Sequence, residues 1–359
     1  MHASVREWSA RSSKKFVGAA CVNRSVCYYS HMLQRSNLAL FFRSVFSILI
    51  LSCIGTGCGD RSDALSGSNA TASPNANGKI TVLATTRMVA DVVANVVGEH
   101  ANVITLIPAG ADPHLWTPTR SDILQLLEAD ALFMNGLGLE GRAGEAFSRV
   151  SNSGRPVCVI TGGIPEKDLL QDPSNTAHPD PHVWMDPQLW GTTAHQVAEA
   201  LATLDPAHAA EFKANATKYA AEANALVEAI TADLANISPS NRVLVSSHDA
   251  FGYFGKRFNF EVRGIQGIST ESEASVGDIE RLVAEISERK IPTVFVETTV
   301  SDRTIRAVVD GCAARDHTIK IGDALYSDSM GAPGTPGGTW VGMIKHNARS
   351  IGNGLGGNS

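Results

Sequence analysis

Two near-copies of one phrase occur in this chain: Asp112-Pro113-His114-Leu115-Trp116 and Asp180-Pro181-His182-Val183-Trp184. A lone loop histidine is most often a surface or turn residue, but chance loops do not share a five-residue template. A third histidine, His248, lies in Ser247-His248-Asp249-Ala250-Phe251-Gly252-Tyr253-Phe254. The segment Leu325-Tyr326-Ser327-Asp328-Ser329-Met330-Gly331 adds a carboxylate. Imidazole and carboxylate are donors of divalent-metal sites and also the proton-transfer groups of hydrolases. The residue types therefore define a chemistry, and the elements around them decide whether they can meet.

From residue 79 onward, β-branched runs alternate with helical periods. Candidate strands cover 80–84, 103–107, 131–134 and 157–160, with helical patterns such as 88–97 and 121–127 between them. A second series covers 243–246, 261–265, 293–296 and 318–321. It holds the clearest helix, with Val276, Ile279, Leu282, Val283 and Ile286 spaced by three and four. Such alternation predicts parallel sheets with crossover helices, here in two α/β lobes. Between them, 206–237 is Ala/Glu/Lys-rich without internal Gly or Pro, and Asp205-Pro206 makes a helix start. About 30 residues at 1.5 Å rise would run about 45 Å. Phe212, Tyr219, Leu226, Ile230 and Leu234 form its expected buried stripe, and a stiff strut between lobes is preferred to a coiled-coil arm because sustained heptads are missing. Open α/β sheets bind ligands beyond the carboxyl ends of their strands. The first phrase follows the strand at 103–107, the second lies in the loop stretch after 157–160, and His248 ends the strand at 243–246.

The 359 residues suggest about two domains at about 150 residues each. With 43% hydrophobic residues the composition is globular, which excludes disordered and disulfide-scaffold classes. Residues 1–58 carry seven basic side chains against one acid, Glu7. The remainder therefore holds 23 basic and 35 acidic residues. A net charge of −12 there argues against nucleic acid as a partner and tolerates cations. The apolar run 45–54 behind Arg35 and Arg43 has signal-peptide length, far short of the ~20 residues of a membrane span. Met32 opens a complete secretory signal by itself, so the true start falls at either Met1 or Met32. Gly55-Thr56-Gly57-Cys58 resembles the cleavage box of bacterial lipoproteins, whose cysteine is acylated; Cys53 is the rival. The expected organisation is a signal peptide over 1–57 and a lipidated Cys58 with a flexible tether over 58–78. An N-terminal α/β lobe over 79–204, a linker helix over 205–238 and a C-terminal α/β lobe over 239–359 follow. Cys158 and Cys312 are then left without a CxxC pair, so neither a thiolate zinc site nor a redox pair is supported.

The chain resembles the cluster A-I solute-binding lipoproteins of zinc and manganese ABC importers. DPHLWTPT (112–119), DPHVWMDP (180–187), SHDAFGYF (247–254) and LYSDSMG (325–331) correspond in order to the ligand regions of that family. The resemblance implies His114, His182, His248 and Asp328 as metal ligands, two (βα)4-type lobes with parallel-type sheets joined by one long helix, and a metal site at the lobe interface. It also implies a permease and its ATPase as partners, an exported protein held to a membrane by its lipid, and no enzymatic activity. A monomer is expected.

Three imidazoles and one carboxylate suit zinc, whereas manganese prefers more oxygen and six ligands. Against zinc stands the stretch 166–181, which offers only His178 where many zinc importers of the family carry a His-rich loop. Zinc is expected, with manganese as the alternative. His100, His195, His208, His317 and His346 match no phrase and read as surface residues. Trp116 and Trp184 read as walls of the site. Glu297 has two readings, a partner orienting an imidazole or a solvated loop acid. The tail 350–359 is Gly/Asn-rich and expected to fray. A zinc hydrolase needs an open coordination position and a poised base, and no HExxH motif is present. A siderophore or corrinoid binder would use an open aromatic cleft. A metal-dependent surface adhesin or chaperone is compatible with the same ligands.

Overall fold

A computed structural model describes residues 79–173 and 175–356. The expected signal peptide, the tether and both candidate lipid sites, Cys58 and Cys53, lie outside the described residues. All described residues belong to one compact unit. None of their helices is long and apolar enough to cross a membrane.

The first lobe is built on a four-stranded parallel sheet of order β2-β1-β3-β4. Its strands are β1 (Ile80–Ala84), β2 (Ala101–Thr105), β3 (Ala131–Met134) and β4 (Val157–Val159). Helices α1 (Arg87–Val97), α2 (Arg120–Glu128) and α3 (Gly144–Asn152) connect them. Thr86 caps α1 by accepting from the Val89 amide, and Thr119 with Asp122 forms a capping box on α2. A short hairpin of β5 (Gln171–Asp172) and β6 (Asn175–Pro179) follows, which periodicity did not announce because two-residue strands carry no pattern. Helix α4 (Pro187–Leu204) then begins at Asp186, whose side chain accepts from the amides of Gln188 and Leu189.

Helix α5 spans Ala209–Asp233, 25 residues and about 37 Å at 1.5 Å rise. It is shorter than the expected run over 206–237. Pro206–His208 forms a separate tight turn, and the Arg242 guanidinium takes the Leu234 carbonyl at 2.6 Å and the Ile237 carbonyl at 3.3 Å. The cation satisfies the Leu234 carbonyl at the end of the helix, where positive charge is favourable. The expected stripe of Phe212, Tyr219, Leu226, Ile230 and Leu234 is buried as read.

The second lobe pairs β7 (Val243–His248) with β8 (Glu261–Gln266) and β9 (Thr293–Glu297) with β10 (Lys320–Leu325), both in parallel. The two pairs are separate two-stranded sheets, and β7 lies beside β9, so in space they stand in the order β8-β7-β9-β10, the counterpart of the first lobe's order. Helices α6 (Gly252–Phe258), α7 (Val276–Arg289), α8 (Arg303–Ala313) and α9 (Trp340–Gly354) complete it. The tail does not fray where it is described. α9 runs through Ser350 to Gly354, and Ile351 is fully buried. Its apolar face outweighs the poor helix propensity of the two glycines.

One continuous core joins the lobes. It runs from Val92 and Phe133 through Trp184, Trp190, Phe212 and Tyr219 to Phe254, Phe295, Trp340 and Ile351. Helix α5 lies along this core, packed on α1, α4 and α9.

Candidate metal centre

Each of the four expected donors stands at or beyond the carboxyl end of a strand. His248 is the last residue of β7; His114 follows β2, Asp328 follows β10, and His182 follows the hairpin after β4. The backbone is arranged for this. In the first phrase the Asp112 carboxylate accepts from the His114 amide at 2.8 Å, and in the second Asp180 accepts from the His182 amide at 2.9 Å. The repeated Asp-Pro-His is thus a side-chain-closed turn, used twice to present an imidazole. Gly264 serves His248 from the neighbouring strand: a Cβ there would stand 2.4 Å from the Asp249 amide nitrogen.

The four side chains meet. One donor atom from each of His114, His182, His248 and Asp328 lies within 4.8 Å of the others, all of them buried. The His114 and His182 Nε2 atoms are 3.4 Å apart. Asp328 Oδ1 is 3.3 Å from His182 Nε2, and its Oδ2 is 3.2 Å from His248 Nε2 and 3.7 Å from His114 Nε2. A tetrahedral ion with bonds of about 2.0–2.1 Å has edges of about 3.3 Å, so these spacings suit a small, low-coordinate cation. His248 Nε2 and both Asp328 oxygens are buried without a hydrogen bond, an arrangement costly unless a cation takes them.

Behind the donors stands a second set of carboxylates. His182 Nδ1 donates to Asp180 Oδ1 at 2.7 Å, and His248 Nδ1 donates to Glu297 Oε2 at 2.5 Å. Glu297 also accepts the His248 amide at 2.8 Å. Of its two readings, the orienting partner is therefore the observed one. These bonds fix the tautomer that leaves Nε2 free to ligate. Asp180 has the same role and went unread, although it belongs to the repeated phrase.

Electrostatics separate the three histidines. Burial holds His114 down to about 4, against the pull of Asp328. Burial also opposes charge on His182, but Asp180 and Asp328 outweigh it and raise the imidazole to about 9. His248 is likewise raised well above its ordinary value, Glu297 and Asp328 overcoming burial. Asp328 is held well below the carboxylate range: burial acts the other way, and His248 and His182 prevail.

The remaining aromatic and histidine expectations divide. Trp184 is fully buried, its ring edge-on to His182 with centroids 5.2 Å apart. Trp116 packs instead on the Leu83, Leu126 and Phe147 cluster beneath α2 and α3. His195 is exposed on α4, and His178 is exposed on the hairpin. His100, His208, His317 and His346 are half-buried in contacts away from the centre. Cys158 and Cys312 are buried free thiols, and burial pushes Cys158 up to about 12.

Known proteins resemble the chain over most of its length. Residues 82–354 match the family ZnuA, described as zinc-uptake complex component A, periplasmic. The chain is 40% identical over 276 residues to the zinc-binding protein TroA of Treponema pallidum, covering 77% of this chain and 89% of that one. It is 35% identical over 305 residues to the manganese-binding lipoprotein MntA of Bacillus subtilis, covering 85% of this chain and 96% of the relative. The solved structure of the periplasmic zinc-binding protein TroA from Treponema pallidum superposes with a TM-score of 0.74 at 39% identity, covering 77% of this chain and 99% of that one.

Proposed function

The chain belongs to the ZnuA family of periplasmic zinc-uptake components, and from that premise we propose that it captures one divalent transition-metal ion between its lobes and delivers it to an ABC importer. The ion is cargo. His114 and His182 from the first lobe, and His248 and Asp328 from the second, are its proposed ligands. The observation that carries the reading is the convergence of these four buried donors, with Asp180 and Glu297 clamping the far nitrogens of two imidazoles. The lobe boundaries at 79–204 and 239–359, with the linker between, are part of the same proposal.

Zinc is the favoured ion. Three imidazoles and a carboxylate complete a tetrahedral shell, and zinc accepts that shell without strain. Manganese is the alternative, supported by the manganese-binding relative. A complete protein shell leaves no place for an attacking water, so the chain works as a binder and carrier without catalysis. The protein is proposed to act outside the cytoplasmic membrane as a monomer, tethered through a lipid on Cys58, with the permease and its ATPase as partners.

Metal analysis of protein purified without chelator tests the reading, followed by calorimetry with zinc and with manganese. One tightly bound ion per chain is expected, lost in His182→Ala. A chain that binds neither metal would overturn the proposal. Mass spectrometry of membrane-extracted protein tests the anchor: a diacylglyceryl adduct on Cys58 is expected, and an unmodified residue there refutes it.

A further inference from the structure

Asp328 differs from the other donors in how it is held. His182 and His248 are each oriented by a carboxylate on the far nitrogen, but the Asp328 oxygens face only the three ligand imidazoles, at 3.2–3.7 Å, with no orienting partner behind them. Its direction therefore depends on its backbone, and the neighbours on both sides are tied to the other lobe. On one side, the Trp184 indole Nε1 donates to the Ser327 carbonyl at 2.9 Å. On the other, Ser329 Oγ accepts from the Gly110 amide at 2.8 Å. Trp184 is the more deeply anchored of the two. It is fully buried, stands edge-on to the His182 imidazole two residues before it, and its own carbonyl accepts from the Trp340 indole at 3.0 Å. A side chain that served only as a wall would need bulk. This one also spends its single donor on the residue preceding a ligand in the opposite lobe.

We propose that Trp184 is a positioning residue: its indole N–H sets the Asp328 carboxylate in register with His182, joining the donor loops of the two lobes into one coordination unit. This rests on the metal-binding reading above and goes beyond it, because Trp184 donates nothing to the ion. Without the N–H, the Ser327 carbonyl is left buried and unpaired, and the loop that carries Asp328 is free to shift. Loss of partners that orient ligands costs about 10–100-fold in metal affinity.

The test uses two variants of the full chain. Trp184→Phe removes the N–H and some volume; replacement of Trp184 by benzothienylalanine puts sulfur in place of the N–H and keeps the shape. Zinc affinity is expected to fall about tenfold or more in both. The visible absorption of the Co2+-substituted protein, which reports coordination geometry, should change in both. In an Asp328→Ala background, the substitution at Trp184 should have little further effect on zinc affinity, because coupled sites are non-additive. The proposal is overturned if benzothienylalanine leaves zinc affinity and the Co2+ spectrum at wild-type values, or if the two substitutions add independently. Should wild type itself bind neither zinc nor Co2+, the metal reading falls first and the proposal falls with it.

Discussion

Two of the imidazoles lie between buried carboxylates: His182 between Asp180 and Asp328, and His248 between Glu297 and Asp328. In the metal-free protein those neighbours favour a proton on each imidazole, His182 being raised to about 9 and His248 well above its ordinary value. A ligating imidazole must be neutral, so a divalent ion replaces two protons and leaves the net charge of the cluster unchanged. About two protons should leave per ion bound at pH 7, measurable by calorimetry in buffers of different ionisation enthalpy. Apparent affinity should then rise up to about a hundredfold per pH unit between 6 and 8. His114, held near 4, releases nothing in that range. A flat profile would remove the two protonated histidines from the site. Metal choice is a second prediction at this scale. His248→Glu exchanges a nitrogen for a carboxylate, which manganese tolerates better than zinc. Because Glu297 lies 2.5 Å from the nitrogen that is lost, the substitution is paired with Glu297→Gln to avoid facing carboxylates. In competition calorimetry, the preference for zinc over manganese should shrink at least tenfold, about 1.4 kcal/mol. An unchanged ratio would exclude His248 as a ligand. The convergence of His114, His182, His248 and Asp328 was legible because their phrases are local and two of them repeat. Asp180 escaped because Asp-Pro also reads as an ordinary turn, and Glu297 stayed between two roles because only tertiary distance separates an orienting carboxylate from a solvated one.

Helices α4 and α5 meet at Gly191, where an added Cβ would stand 2.8 Å from the Ala223 Cβ and 3.3 Å from the Ala220 Cα. Intrinsic propensity favours alanine over glycine inside a helix by about 1 kcal/mol. Packing should reverse that sign here. Gly191→Ala is expected to destabilise the protein by about 1–3 kcal/mol, the usual cost of overpacking, measured by urea denaturation. A stabilised variant would show that the two helices part without cost. Periodicity recovered the buried elements well, since β1 is apolar apart from Thr81, β3 is apolar throughout and α5 carries a regular apolar stripe. It failed where burial is one-sided. Strand β10 was expected over 318–321 but runs Lys320–Leu325, and its mostly exposed residues give no apolar run to read. Strand β2 was expected over 103–107 and is assigned to Ala101–Thr105, although the amides of Leu106 and Ile107 still bond to Ala84 and Thr85. The tail failed for the opposite reason: glycines and asparagines hid a helix that tertiary packing imposes.

On the proposed ligand set, with donors from both lobes, metal binding would clamp the whole molecule. An ion bound only by the folded protein adds about 4 kcal/mol at a thousandfold excess over Kd. Thermal melting should show this as a large rise with zinc. His114→Ala and Asp328→Ala, in different lobes, should each remove most of it; if only one lobe's variant matters, the clamp does not span both. The rise should also depend on pH. The raised imidazoles stabilise the metal-free fold fully below their ordinary value of about 6.5 and lose that contribution as pH climbs through their folded-state values. Metal-free protein therefore weakens from pH 6 to 8 while binding strengthens, so the zinc-induced rise should be larger at pH 8. Between the lobes, one stripe of α5 is buried in a core common to both. The same core bears on the order in which the chain is completed. Arg87, at the start of α1, donates to the Gly338 carbonyl, and Asp91 accepts the Trp340 amide, contacts that join positions about 250 residues apart. Trp340 also tilts against Trp190 and Tyr219, covering the aromatic face of α4 and α5. A nascent chain that stops before these residues leaves that face open to water. Because these contacts are so distant in sequence, native closure of that face waits for the segment around Trp340 to be made.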